Sequence, residues 1–146
     1  MFTIDASVWV NADSPAEPHQ PDSRALLDLL FARGLSIVVP TLLPAELAGA
    51  IARTRGDSAL AEEMATALLA LPTVRWIALD DALARRAAEL AARHRLRGAD
   101  AVYAAVALTH GCELVSLDRE HLTRLAAVVP TLTPADGLTR LRATGT

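Results

Sequence analysis

Short, continuously apolar runs alternate with stretches of helical periodicity along this chain, and that alternation constrains its fold more than any other feature. The runs are Met1 to Ile4, Leu35 to Val39 (stopped by Pro40), Val74 to Leu79 and Glu113 to Leu117, with Leu125 to Val129 as an expected fifth strand. Between them lie the helical patterns. Leu26, Leu29 and Leu30 repeat at helical spacing over Asp22 to Arg33, with Gly34 as the expected C-cap. Thr41 is the expected cap of a second helix whose face is Leu43, Leu47, Ala50, Ile51 and Thr54, ended by Gly56. A third runs from about Ser58 to Leu71, and a fourth, opened by Asp80 or Asp81, carries the stripe Leu83, Ala87, Leu90, Ala91 and His94. Ala99 to Thr109 is apolar almost all round, as in a helix buried on most sides, and Thr133-Pro134 starts a short closing helix. Pro15, Pro18 and Pro21 mark a loop. Strands that are apolar on both faces belong to parallel sheets covered by helices on each side. The expectation is a three-layer α/β/α sandwich, with about five parallel strands, in a single domain spanning residues 1–146.

Composition agrees and excludes several classes. Apolar residues make up 52% of the chain against 21% charged, which rules out a disordered polymer. Aromatics are 3%, so the core must be aliphatic. No apolar run approaches the roughly 20 residues of a spanning helix, and the N-terminus has an acid inside its apolar stretch, unlike a signal peptide. A single cysteine, Cys112, excludes an internal disulfide and a cysteine-based zinc site. The reading is a cytoplasmic protein with no membrane association. Net charge is −3, and all 14 basic side chains are Arg, with no Lys. Coding bias explains the missing Lys, and so does a use for the forked phosphate grip of Arg.

Four acids occupy unusual places. In open α/β sheets, sites form beyond the carboxyl ends of strands where the strand order reverses. Asp5 follows the first strand and Asp118 the fourth. If those strands are neighbours at the switch point, residues over a hundred positions apart converge. Glu46 lies on the margin of an apolar helix face, and Asp100 begins the most buried helix, although carboxylates are seldom buried unless paired or metal-bound. Each has an ordinary explanation: a strand-end turn for Asp5, a helix cap for Asp118, the helix dipole for Asp100, a snorkelling side chain for Glu46. Together, in one crevice, they would repel one another without a counter-charge, and no Lys exists to supply it. A divalent cation fits, and all-oxygen ligands select Mg²⁺ or Mn²⁺ over zinc. Such ions activate a water and stabilise charge on a phosphodiester.

The segments Phe2-Thr3-Ile4-Asp5-Ala6-Ser7-Val8-Trp9, Leu43-Pro44-Ala45-Glu46-Leu47, Gly98 to Ala107 and Leu114 to Glu120 carry a family likeness. In order and spacing the chain resembles the PIN-domain nucleases, and within them the toxin component of VapBC-type toxin–antitoxin pairs. The resemblance covers nearly the whole chain. It implies a Mg²⁺- or Mn²⁺-dependent ribonuclease with Asp5, Glu46, Asp100 and Asp118 as the catalytic and metal-holding acids. It also implies Ser7 and Ser116 as hydroxyls supporting them, a cognate antitoxin as partner, and a homodimer. One departure is visible: many relatives carry an aromatic a few residues beyond the last acid, where His121 and Leu122 stand here.

Arg97 and Arg119, with Arg95 and Arg53, are candidate contacts for RNA phosphates, against a reading as solvated helix surface. His94 is expected to be packed and His121 to lie in a loop. Tyr103 and Trp9 are expected to serve packing or dimer contacts. Asp13, Asp80, Asp81 and Asp136 read as turn and cap residues. A phospho-receiver would need a Lys after a late strand, and an aspartate-nucleophile phosphatase an Asp-x-Asp where this chain has Asp5-Ala6-Ser7; both are set aside. A flap-type DNA nuclease needs a helical arch that this length does not allow. A catalytically silent PIN scaffold that binds RNA or protein stands as the alternative.

Overall fold

The computed structural model describes residues 1–143; residues 144–146 of the expected domain lie outside the described residues. Five parallel strands form one sheet: β1 (Phe2–Ile4), β2 (Ile37–Pro40), β3 (Val74–Ile77), β4 (Glu113–Val115) and β5 (Thr131–Leu132), in the order β3-β2-β1-β4-β5. The order reverses between β1 and β4, which pair with Phe2 opposite Glu113, Thr3 opposite Leu114 and Ile4 opposite Val115. The three central strands are buried throughout except for Glu113, half-buried at the margin of β4, consistent with helices on both faces. The three-layer α/β/α reading therefore holds.

The helices among the described residues are α1 (Ala6–Ala12), α2 (Gln20–Ala32), α3 (Leu43–Arg55), α4 (Ser58–Leu69), α5 (Asp81–His94), α6 (Gly98–His110), α7 (Arg119–Arg124) and α8 (Pro134–Ala143). Helix α6 is the spine of the core. It packs on β1, β2 and β4, and its residues from Ala101 to Ala107 are all buried. Its run of alanines and valines lets the helix backbone lie close to the sheet. Gly111 ends it in the left-handed region, at φ 61°, where a side chain would be strained.

Several expectations shift. The fifth strand is Thr131–Leu132, whereas Leu125–Ala127 forms a 3-10 turn. A short apolar run cannot distinguish strand from helix, and here the sheet's edge bonds decide: Leu114 N–H donates to Pro130 O at 2.9 Å and Ser116 N–H to Leu132 O at 3.0 Å. Thr41 does not cap α3, whose first turn carries no side-chain cap and uses Pro44 instead. Asp80 rather than Asp81 caps α5, accepting from Leu83 N–H at 2.9 Å. Helix α1 was not expected at all; the residue read as a strand-end turn, Asp5, is its N-cap.

Candidate functional site

The carboxyl ends of β1 and β4 deliver the first two side chains. Asp5 leaves β1 and its backbone N–H still bonds Val115 O of β4, at 3.0 Å. As the α1 cap, its Oδ2 accepts from Ser7 N–H at 3.0 Å and from the Ser7 hydroxyl. Ser7 Oγ in turn accepts from Leu117 N–H at 3.1 Å, so one hydroxyl ties the start of α1 to the exit of β4. Ser116, fully buried, approaches the same Asp5 oxygen at 3.3 Å. Its Oγ also accepts from Asp118 N–H at 3.0 Å. Asp118 caps α7, with Oδ1 accepting from Glu120 N–H at 2.7 Å. The two serines read from the sequence as supports of the carboxylates thus both contact Asp5.

Helices bring in the rest. Asp100 lies in the first turn of α6, 7% exposed. Its Oδ2 accepts from Arg97 Nε at 3.0 Å, while Arg97 Nη2 reaches Asp118 Oδ2. His121, on α7 rather than in a loop, is 1% exposed. Its Nδ1 is 2.8 Å from Ser116 Oγ and its Nε2 is 2.9 Å from Asp100 Oδ1. Glu46 sits in the first turn of α3, half-buried, with the buried Tyr103 hydroxyl turned toward it. Neither Glu46 Oε2 nor Tyr103 Oη completes a hydrogen bond.

Electrostatics follow from this layout. Burial raises the Glu46 carboxyl above its usual range, and the nearby Asp5 and Asp100 charges add to the rise, although Tyr103 opposes it. Tyr103 is held above its usual value by burial and by Glu46. Burial also works against ionisation of Asp100, but His121 and Arg97 outweigh it and hold the group below its usual value. Burial works against charging His121, and Asp100, Asp5 and Asp118 outweigh that in turn, raising its value. The acids therefore have counter-charges within the chain: Arg97 and, in its protonated form, His121. Among the described residues, no group of three or more His, Cys, Asp and Glu side chains stands already arranged to hold a metal ion.

In its chemistry, a set of carboxylate oxygens suits a hard divalent cation. Glu46 lies within electrostatic reach of Asp5 and Asp100, Arg97 ties Asp100 to Asp118, and two buried polar atoms among them, Glu46 Oε2 and His121 Nε2, lack hydrogen-bond partners. Other expected candidates lie elsewhere. Arg119 is exposed at the start of α7, and Arg53 is exposed on α3. Arg95 ends α5 in the left-handed region, with φ 55°, its carbonyl accepting from Arg124 at 3.2 Å. Trp9 is buried against Phe31 with ring centroids 6.2 Å apart, and Asp13 pairs with Arg55 at 2.9 Å. Asp136 binds the Thr133 hydroxyl at 2.6 Å at the head of α8. The residues sequence reasoning undervalued are His121 and Tyr103. A histidine one helical turn after an acid at a helix N-cap was the available signal.

Residues 2–128 match the PIN domain family model, and the chain belongs to that family, which at the level of the family places it among nucleases. No curated protein sequence matches the chain. Solved structures share the fold. The chain is similar to Mycobacterium tuberculosis VapC20, described as a sarcin-ricin loop cleaving toxin, at 20% identity and TM-score 0.71, over 87% of this chain and 95% of that one. It is similar to FitAcB from Neisseria gonorrhoeae at 22% identity and TM-score 0.64, over 92% and 98%. It is also similar to Rickettsia felis VapBC2, solved bound to a promoter DNA fragment, at 14% identity and TM-score 0.67, over 90% and 97%.

Proposed function

We propose that this chain, as a single PIN-like domain of residues 1–146, is a Mg²⁺- or Mn²⁺-dependent ribonuclease and the toxin of a toxin–antitoxin pair. One observation carries the reading: Asp5, Asp100 and Asp118 gather at the β1/β4 switch point in a linked network, with Glu46 beside them. Asp5 and Asp100 would be the main holders of the ion, assisted by Asp118 and Glu46. When bound, the ion would supply activation of a water and stabilisation of charge on the phosphodiester.

The side chains have separable tasks. Ser7 and Ser116 fix the Asp5 carboxylate by bonds to the oxygen Oδ2, which leaves Oδ1 for the site. Glu46, raised in pKa and carrying an unpartnered oxygen, is placed to take the proton released by the attacking water. Arg97, 61% exposed, can reach a phosphate from the rim of the crevice. The 2′-hydroxyl has no role in such hydrolysis, so RNA preference comes from binding. The expected products end in 5′-phosphate and 3′-hydroxyl.

The likeness to VapBC2 supports a cognate antitoxin as partner, and the proposal adds a homodimer in the cytoplasm. No helix among the described residues is long and apolar enough to cross a membrane. The neutralisation of Asp100 and Asp118 by Arg97 favours a second reading, a silent scaffold that binds RNA or protein. Cleavage of total RNA by the purified protein separates the two. Activity in Mg²⁺ or Mn²⁺ that is lost in EDTA and in Asp5→Asn supports the nuclease. Ends carrying 2′,3′-cyclic phosphate would overturn the mechanism, and a folded protein that neither cuts nor binds metal would leave the scaffold.

A further inference from the structure

His121 occupies an improbable place for a structural histidine. It is 1% exposed and lies among Asp5, Asp100 and Ser116. Its hydrogen bonds define which ring nitrogen is free. Ser116 Oγ has one proton, directed at Asp5 Oδ2 3.3 Å away. Toward its other neighbours it accepts: from Asp118 N–H at 3.0 Å and from His121 Nδ1, 2.8 Å away. With Nδ1 turned to Ser116, Nε2 is the nitrogen that faces Asp100, and an ion there would take its lone pair in place of a proton. An imidazole anchored through one nitrogen to a hydroxyl or carbonyl, with the other turned to a carboxylate cluster, has the tautomer and orientation of a metal ligand.

The contact with Asp100 has the geometry of a shared ion. Asp100 Oδ2 is taken by Arg97, so Oδ1 is the free oxygen, and it lies 2.9 Å from His121 Nε2. Yet Nε2 makes no hydrogen bond, because the oxygen is off the axis of the ring nitrogen. Two donors about 2.1 Å from one ion and at right angles to each other stand about 3 Å apart. Each then points at the ion rather than at its neighbour. A simple imidazole–carboxylate hydrogen bond would align the nitrogen with the oxygen instead.

We propose that His121 Nε2 is a nitrogen ligand to the divalent ion alongside Asp100 Oδ1, making this a mixed nitrogen–oxygen centre that prefers Mn²⁺ to Mg²⁺. The inference rests on the metal-dependent reading above and deepens it. Mg²⁺ favours all-oxygen shells, whereas imidazole suits transition-metal ions, so one nitrogen in the shell shifts selectivity toward Mn²⁺.

The test is pulsed electron paramagnetic resonance of Mn²⁺ added to the intact chain, with calorimetric titration of Mn²⁺ and of Mg²⁺. A ¹⁴N coupling of an imidazole directly bound to Mn²⁺ is expected, replaced by a ¹⁵N pattern when histidine is ¹⁵N-labelled. It disappears in His121→Phe and His121→Asn, and the ratio of Mn²⁺ to Mg²⁺ affinity falls roughly tenfold, the scale on which ligand-shell changes act. Labelling needs no substitution, so it detects an imidazole ligand even if both variants misfold, and His19→Gln, His94→Gln and His110→Gln in one chain leave His121 as the labelled histidine. Mn²⁺ bound without nitrogen coupling overturns the inference and leaves the nuclease reading intact, with His121 as a counter-charge only. Failure of the wild-type chain to bind either ion overturns both.

Discussion

Ser116 Oγ lies 3.3 Å from Asp5 Oδ2, although 111 positions separate the two residues. The contact exists because Ile4 and Val115 are paired across β1 and β4, so the next residue of each strand emerges at the same sheet edge. Ser116 also holds Asp118 N–H and His121 Nδ1. Ser116→Ala removes all three partners at a fully buried position. Leaving such groups unpaired costs about 1–3 kcal/mol, and loss of support to ligands typically weakens metal affinity ~10–100-fold. Denaturant unfolding and Mn²⁺ titration measure the two effects; a variant with unchanged metal affinity would remove Ser116 from the support of the site.

Asp5 has two tasks that different substitutions separate. It caps α1 through Ser7 N–H and it offers a carboxylate to the crevice. Asparagine caps helices about as well as aspartate, whereas alanine forfeits roughly 0.5–2 kcal/mol. Asp5→Asn is therefore expected to abolish RNA cleavage with little change in stability, and Asp5→Ala to abolish cleavage and lower the unfolding midpoint. Equal destabilisation by both would mean that the negative charge, rather than the cap, sustains α1.

The sheet was legible because its strands are apolar on both faces, a pattern that survives without tertiary information. Val38 and Val39 needed nothing beyond their neighbours to be read as buried strand, and the structure buries both completely. The convergence of Asp5 and Asp118 followed from their strands being adjacent at the reversal of order. Helix α1 was invisible because Ala6-Ser7-Val8-Trp9 mixes helical and extended preferences, and only the cap at Asp5 decides between them. The fifth strand was misplaced for a similar reason: Thr131–Leu132 is two residues long and is defined by the edge of β4, not by its own composition. The counter-charges escaped because they depend on helix packing. Arg97 and Asp100 are three residues apart and could have been paired on paper, but the reach of Arg97 to Asp118 depends on how α6 and α7 sit.

Glu46 carries a cost at neutral pH that its removal should relieve. Its carboxyl is raised above its usual range, first by burial and then by Asp5 and Asp100. For an acid raised on folding, the favourable contribution is complete below the unfolded value and is lost as pH rises through the folded one. The ionised side chain therefore opposes folding at pH 7 in the absence of metal. Glu46→Gln should be more stable than wild type there, by ~1 kcal/mol or less for a half-buried group, and the difference should vanish below about pH 4.5. RNA cleavage should be lost at every pH. Thermal unfolding of the metal-free proteins at about pH 4 and about pH 7 checks the sign; a variant less stable than wild type at pH 7 contradicts it.

Arg97 and a divalent ion compete for the same carboxylates. The guanidinium binds Asp100 Oδ2 and Asp118 Oδ2, and the pairs raise the Arg97 pKa further above its already high value. With 61% of its side chain exposed, Arg97 is held in high dielectric, where an ion pair contributes only ~0–1 kcal/mol. Arg97→Ala should therefore leave the unfolding free energy within about 1 kcal/mol of wild type. Its effect should appear instead in metal binding: releasing both oxygens raises Mn²⁺ affinity roughly 2- to 10-fold, as expected from removing one or two exposed pairs. RNA affinity should move the other way if the side chain also grips phosphate, because a lost phosphate contact weakens binding and reduces its salt dependence by about one ion. Calorimetry with Mn²⁺ and RNA binding across a salt series, performed on one preparation, reads both. Weaker Mn²⁺ binding in Arg97→Ala would mean that the guanidinium organises Asp100 and Asp118 for the ion rather than occupying them in its place.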